Sequence, residues 1–358
     1  DMSETNLEKP GPEHTPGVVP DETSIEQRET QGLSQGQIVR KRFFRHRAAV
    51  VSMVVLAFVV LLAFTSVGIS LPGIRIPGWW LYNWTETPAL VNNGTPTLSL
   101  VPGRGFGIGE HPFGQDQVGH DIFAVVMRGA QQSLMIMVIV GFVGTAIGVL
   151  FGALAGYYRG WVDTVLMRFT DIIITIPYIV VGAVVGRAVG GLGAALLGIF
   201  LGLFSWTGLA RLVRGEFLSL REREFVDAAR VSGASDRRII FKHILPNSVG
   251  VIIVAATLLM ASAILAETAL SFLGYGVRFP DTSLGLIISE NQAAFATRPW
   301  LFWWPGLFII IIALCVNFIG DGLRDAFDPR QKKMPSPKAL ARAAAKRVSS
   351  SRAKAATS

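Results

Sequence analysis

From Ala48 to Ser70 the chain runs 23 residues without a charge. At the helical rise of about 1.5 Å per residue, that is enough to cross a hydrocarbon core about 30 Å thick. Comparable apolar runs recur at roughly 133–157, 165–186, 191–210, 248–273 and 302–320. Six spans are therefore expected, and the fold class is an all-α polytopic membrane protein. Composition agrees: 51% of residues are hydrophobic and only 16% charged, with a mean hydropathy of +0.46, far from a soluble average. The net charge of +8 is concentrated in a few blocks, so it does not argue for nucleic-acid binding.

Those blocks set the orientation. VRKRFFRHR (Val39 to Arg47) stands directly before the first span, which the positive-inside tendency places in the cytoplasm. Residues 71–127 then fall outside, with only Arg75 and Arg104 as strong cations before the second span and the aromatics Trp79, Trp80 and Trp84. The turn Tyr157 to Asp163 falls inside, the Gly-rich turn Val189 to Gly193 outside, and Tyr275 to Trp300 forms an outer loop. Both termini are expected in the cytoplasm. Residues 1–36 and 331–358 lack large apolar groups and cannot bury enough surface to offset ordering, so they read as a disordered N-terminal segment and a basic tail near anionic lipid. They flank a membrane domain over 37–330. Asp1 ahead of Met2 reads as an addition before the natural start, and no cleavable signal peptide is expected because the first apolar run begins too far in.

One long charged segment, Arg221 to Asn247, interrupts the apolar pattern. At helical period Phe225, Ala228, Ala229 and Ser232 share a face, while Arg221, Glu222, Arg223 and Arg230 spread over the other. Gly233 suits a left-handed helix end, and Ser235 or Asp236 suits the cap of a second helix carrying Ile239, Ile240 and Ile244 before Pro246 stops it. The expected unit is an elbow over 221–247: helix, Gly turn, helix.

Asp227-Ala228-Ala229, three residues, Gly233, then His243-Ile244-Leu245-Pro246 resembles the EAA loop of ABC importer permeases. An Asp stands where that motif often has Glu, and His243 takes a slot that is often apolar. His111-Pro112-Phe113-Gly114 with Asp116, Gly119, His120 and Asp121 resembles the segment before the second span in the dipeptide, oligopeptide and nickel branch. So do Ala266 to Gly274 and the ending Gly320-Asp321-Gly322-Leu323-Arg324-Asp325 with Asp328-Pro329-Arg330. The resemblance covers residues 40 to 330. It implies the type I ABC importer permease fold in the bacterial cytoplasmic membrane, and ATP-driven uptake of peptides by alternating access. It also implies a second homologous permease subunit, two ATPase subunits and an extracytoplasmic substrate-binding protein as partners. Coupling to the ATPases would fall to Glu224, Asp227, Ala228, Ala229, Gly233, His243, Leu245 and Pro246. ATP and Mg would be used by the ATPase subunits, with no cofactor held by this chain. Nickel and glutathione-type solutes stay open as cargo, and a secondary transporter is the competing class, although no internal repeat supports it.

Other features read more simply. Gly141, Gly144, Gly148, Gly152 and Gly156 form a stripe suited to close helix packing in lipid. Pro177 should bend the third span. Glu267 and Asp171 are the carboxylates that either serve the pathway or hold structure, and Glu267 must face protein or water. His111, Asp116, His120 and Asp121 fit a tight turn better than a metal site. Cys315 is the single cysteine, so no internal disulfide can form. No G-x-x-x-x-G-K-[ST] loop, H-E-x-x-H pair or nucleophile with partners is present, which leaves the chain without an ATPase or other catalytic site of its own.

Overall fold

In a computed structural model, residues 35–71, 74–99, 107–279 and 281–327 are described. The polar N-terminal segment lies outside them except for Gln35 and Gly36, as do the ending Asp328-Pro329-Arg330 and the basic tail.

The spans form where the apolar runs are, and their ends are set by local chemistry. Helix α1 (Gln35–Arg45) leads into α2 (Arg47–Ser66) through His46, whose Nδ1 accepts the Ala49 N–H at 3.1 Å and caps α2. The Nε2 of the same ring lies 3.5 Å from Asp325 Oδ2 near the other end of the chain. Along α2, Val51, Val54, Phe58 and Leu61 form an exposed apolar stripe, the surface lipid accepts. A small antiparallel hairpin, β1 (Ile69–Leu71) and β2 (Ile74–Ile76), follows.

Helix α3 (Ile122–Tyr158) is 37 residues long and begins 11 residues before the apolar run. Asp121 caps it through the Ala124 N–H and also accepts from Trp80 Nε1 at 2.8 Å. Its glycine stripe is a packing surface. A Cβ on Gly152 would lie 2.5 Å from the Ala210 carbonyl, and one on Gly141 2.3 Å from Met260. Gly148, Gly152 and Gly156 receive one neighbouring helix, Gly141 and Gly144 another.

The third and fourth apolar runs are not straight. Helices α4 (Gly160–Thr175) and α5 (Tyr178–Val189) meet at 77° around Ile176-Pro177, and α6 (Ala194–Ser205) and α7 (Thr207–Arg221) meet at 47° at Trp206. Pro177 has no N–H to continue the ladder. The described residues thus hold four helices long enough to cross a membrane, or six spans if each bent pair is one.

Helix α8 (Glu224–Val231) is followed by α9, which runs without interruption from Asp236 to Phe272. The expectation that Pro246 ends a short helix is corrected here. Residues Ile239–Ile244 adopt a π-helical turn, the Leu245 N–H reaches back to the Ile240 carbonyl, and Asn247 Nδ2 donates to the His243 carbonyl at 2.6 Å. The wider turn ahead of the ring relieves the clash that would stop an ordinary helix. A short helix α10 (Leu284–Asn291), capped by Ser283, lies within the expected outer loop, and α11 (Trp300–Phe327) is the last described element. Against α2, α11 supplies Phe308, Ile309, Ile312 and Val316 to a core that contains Val59 and Ala63.

Candidate functional site

The elbow has its own hydrophobic core. Val226 and Ala229 of α8 are buried with Tyr157 and Ala153 of α3, Val213 and Phe217 of α7, and Ile239, Ile240 and Ile244 of α9. Three helices therefore converge under α8. Burying such side chains stabilises the seat by about 1.5–3 kcal/mol for each large one.

The end of α8 is a Schellman turn: Ala234 N–H donates to the Ala229 carbonyl and Gly233 N–H to the Arg230 carbonyl, with Gly233 at φ +76. Nothing lies within 4 Å of where a Gly233 Cβ would stand. Its glycine is required by backbone angle, not by crowding.

Polar links fix the same region. Tyr157 Oη donates to Asp236 Oδ1 at 2.7 Å, and the Arg221 guanidinium lies 5.5 Å from the Tyr157 ring centroid while donating to the Tyr157 carbonyl. Arg214 grips Asp163 with two bonds of 2.5 and 2.6 Å, Arg211 meets Asp171 at 2.5 Å, and Arg159 meets Glu222 at 2.5 Å. These pairs tie α7 to α4 and to the turn before it.

The face of α8 turned away from this core carries Glu224, Phe225, Asp227, Ala228, Arg230 and Val231, all exposed, Val231 to 90%. Asp227 pairs with Arg230 at 3.1 Å, an exposed contact worth little stability. Ala229 departs from expectation. The expected face joins it to Ala228, yet the helix buries it, because Val226 and Ala229 are the pair at i, i+3 that meet the isoleucines of α9. Among the remaining motif residues, His243 and Leu245 are half-buried and Pro246 is exposed beside the π-turn.

The two carboxylates singled out earlier lie elsewhere. Asp171 is half exposed in its pair with Arg211. Glu267 is fully buried: Ser133 Oγ donates to Oε2 at 2.9 Å, Ser271 Oγ to Oε1 at 2.6 Å, and Ser283 Oγ donates to Ser271 Oγ at 3.0 Å. This serine cage ties α3, α9 and the cap of α10 together. His111 pairs with Asp121 at 2.8 Å and His120 with Asp116 at 2.6 Å, as two separate contacts. Among the described residues no group of three or more such side chains could hold a metal ion.

A cavity of about 330 Å³ opens between the two helix breaks. Its walls come from Ile173 to Val181, from Phe204, Ser205 and Thr207, and from Leu259 to Ala266 of α9, with Val140 of α3 behind. Sequence reading found the Pro177 bend but not this cavity. Its signal was the Ser205-Trp206-Thr207 interruption in an otherwise apolar run.

The long apolar helices, the two bent pairs and the elbow packed beneath them are those of an integral membrane protein. Residues 148–333 match the model described as "Binding-protein-dependent transport system inner membrane component", and residues 34–75 match the "N-terminal TM domain of oligopeptide transport permease C". The chain belongs to the family of binding-protein-dependent transport system inner membrane components. It is similar to the oligopeptide transport system permease protein OppC of Mycobacterium tuberculosis, with 38% identity over 306 residues covering 85% of this chain and 98% of that protein. Against OppC of Haemophilus influenzae identity is 36% over 86% and 93% of the two chains, and against that of Escherichia coli K12 it is 35% over 87% and 96%. Among solved structures, an inward-facing MetNI methionine ABC transporter chain aligns with a TM-score of 0.47 and 21% identity, over 57% of this chain and 96% of that one.

Proposed function

We propose that this chain is a membrane subunit of an ATP-driven importer of peptides, working by alternating access. The relatives named for oligopeptide transport support the cargo. In this reading it pairs with a second permease subunit to line one path, two ATPase subunits sit beneath, and a binding protein delivers peptide from outside. ATP is hydrolysed, with Mg as the cofactor, by the ATPase subunits, and no catalytic group is required of this chain.

The single observation that carries the coupling role is the seat of α8. Its outer face presents Phe225, Ala228 and Val231 to a partner, while its inner face rests on a core shared by α3, α7 and α9. A displacement of α8 is thereby delivered to three helices at once, because packed interiors transmit strain and do not absorb it. Orientation follows the charge: the start of α2 and the end of α11 meet at His46 and Asp325, which supports both termini on the cytoplasmic side.

The test is the assembled complex in membrane vesicles. Peptide uptake should require ATP hydrolysis and the binding protein, and this chain purified alone should show no ATPase activity above background. Uptake that survives ATP depletion and follows a proton or sodium gradient would refute the proposal.

A further inference from the structure

The two helix breaks lie equally far along the chain from one turn. Helices α5 and α6 are each 12 residues long and are joined by the turn that begins at Gly190. Each break is thus about 18 Å along its helix from that turn, inside an apolar run. Irregular backbone within a hydrocarbon core is stable only where protein buries it or where it lines a water-filled cavity.

Each break has such features. Pro177 lacks an N–H and its carbonyl accepts from Val180 and Val181. At the other break, Ser205 Oγ donates to the Gly202 carbonyl at 3.2 Å and Trp206 Nε1 to the Leu203 carbonyl at 2.8 Å, taking acceptors that the bend frees. The first N–H groups of α5 and α7 have no carbonyl within their own helix to donate to. Between the breaks lies the 330 Å³ cavity, walled by aliphatic side chains with the hydroxyls of Tyr178, Ser205, Thr207 and Ser262 and without a single charged group. Its volume is at the lower end for ligand sites, room for one or two residues of a chain in transit.

We propose that this cavity receives uncharged side chains of the cargo peptide as it crosses, apolar ones against Ile176 and Leu259 and small polar ones against Ser205 and Ser262. The inference rests on the peptide-importer reading. A lipid tail fits poorly, since it cannot accept from the backbone N–H groups left open at the starts of α5 and α7.

The experiment uses the complete importer, with Cys315→Ala as background. The Ser262→Cys variant should react with a membrane-impermeant thiosulfonate at least tenfold faster than a Phe58→Cys variant on the exposed stripe of α2, and saturating triphenylalanine during turnover should slow it severalfold. In a second arm, Ala266→Trp should lower triphenylalanine uptake at least fivefold more than trialanine uptake. No reaction at position 262 would mean that lipid or another chain fills the cavity and would overturn the inference. Reaction without protection, together with equal effects of Ala266→Trp on both peptides, would overturn it as well. If the unsubstituted importer took up neither peptide, the peptide reading itself would fall, and this inference with it.

Discussion

Tyr157, at the last turn of α3, donates its phenolic hydrogen to Asp236, the first residue of α9, at 2.7 Å. The bond closes the elbow across 79 positions of sequence. Tyr157→Phe keeps the ring beneath Arg221 and removes only the hydroxyl. The expected loss is about 1 kcal/mol of local stability, the usual net worth of a hydrogen bond. It should appear as roughly fivefold faster hydrogen exchange over Glu224–Val231, with unchanged exchange in the apolar part of α2. Unaltered exchange at α8 would show that this bond does not hold the elbow.

Gly233 sits at φ +76 with open space around it. Gly233→Val therefore acts through backbone strain of about 1–2 kcal/mol and not through a clash within the chain. Gly233→Asn, which tolerates the left-handed region, should retain most uptake where Gly233→Val loses it at equal membrane abundance. Equal loss in both would point to a requirement for an open surface at this position.

Ala228 and Ala229 should separate cleanly. Ala229→Glu forces a carboxylate into the core of Val226, Phe217 and the isoleucines, where an unpaired charge costs several kcal/mol, so membrane abundance should fall. Ala228→Glu leaves that core intact and should lower co-purification of the ATPases at normal abundance. Identical behaviour of the two would contradict the inward and outward faces assigned to α8.

Glu267 is held by Ser133 and Ser271. Glu267→Gln preserves shape and polarity and should be nearly neutral for abundance and thermal stability in detergent. Glu267→Leu removes the acceptor of the Ser133 and Ser271 hydroxyls, at about 1–3 kcal/mol for each buried donor left without one, and should lower both. Loss of uptake in Glu267→Gln with normal stability would instead assign the carboxylate to the transport path.

Orientation has its own check. A reporter fused after Arg330 should read as cytoplasmic and one inserted near Asn93 as external. Both on one side would sink the six-span arrangement.

Long apolar runs were legible as helices because lipid permits few alternatives, and the Pro177 bend and the Gly233 turn were legible because each rests on one residue's backbone chemistry. The packing role of Gly152 could be read from its spacing for the same reason: only a missing side chain admits a neighbour so closely. What stayed hidden depends on partners distant in sequence. Whether Ala229 faces in or out is decided by Ile239 and Ile244 of α9, and two alanines in a row carry no signal of it. Pro246 reads as a stop until the π-turn ahead of it is known. The eight-residue α10 is too short for its period to stand out, and it is placed by Gly129 and Gly285, which let it lie against α3 and α9. The cavity depends on two bends in different spans lining one space, which no single stretch reveals.

The contact between His46 and Asp325 has a consequence for biosynthesis. Helix α2 enters the membrane first and α11 last, yet Val59 and Ala63 share one core with Phe308, Ile309, Ile312 and Val316 of α11, and the α2 cap residue meets the Asp325 carboxylate there. Throughout translation of the intervening spans, the inner face of α2 has to wait in the bilayer without its final neighbour. A chain terminated before Trp300 would insert its early helices and still leave part of that face without its α11 partners, which would give quality-control proteases a marker of incompleteness.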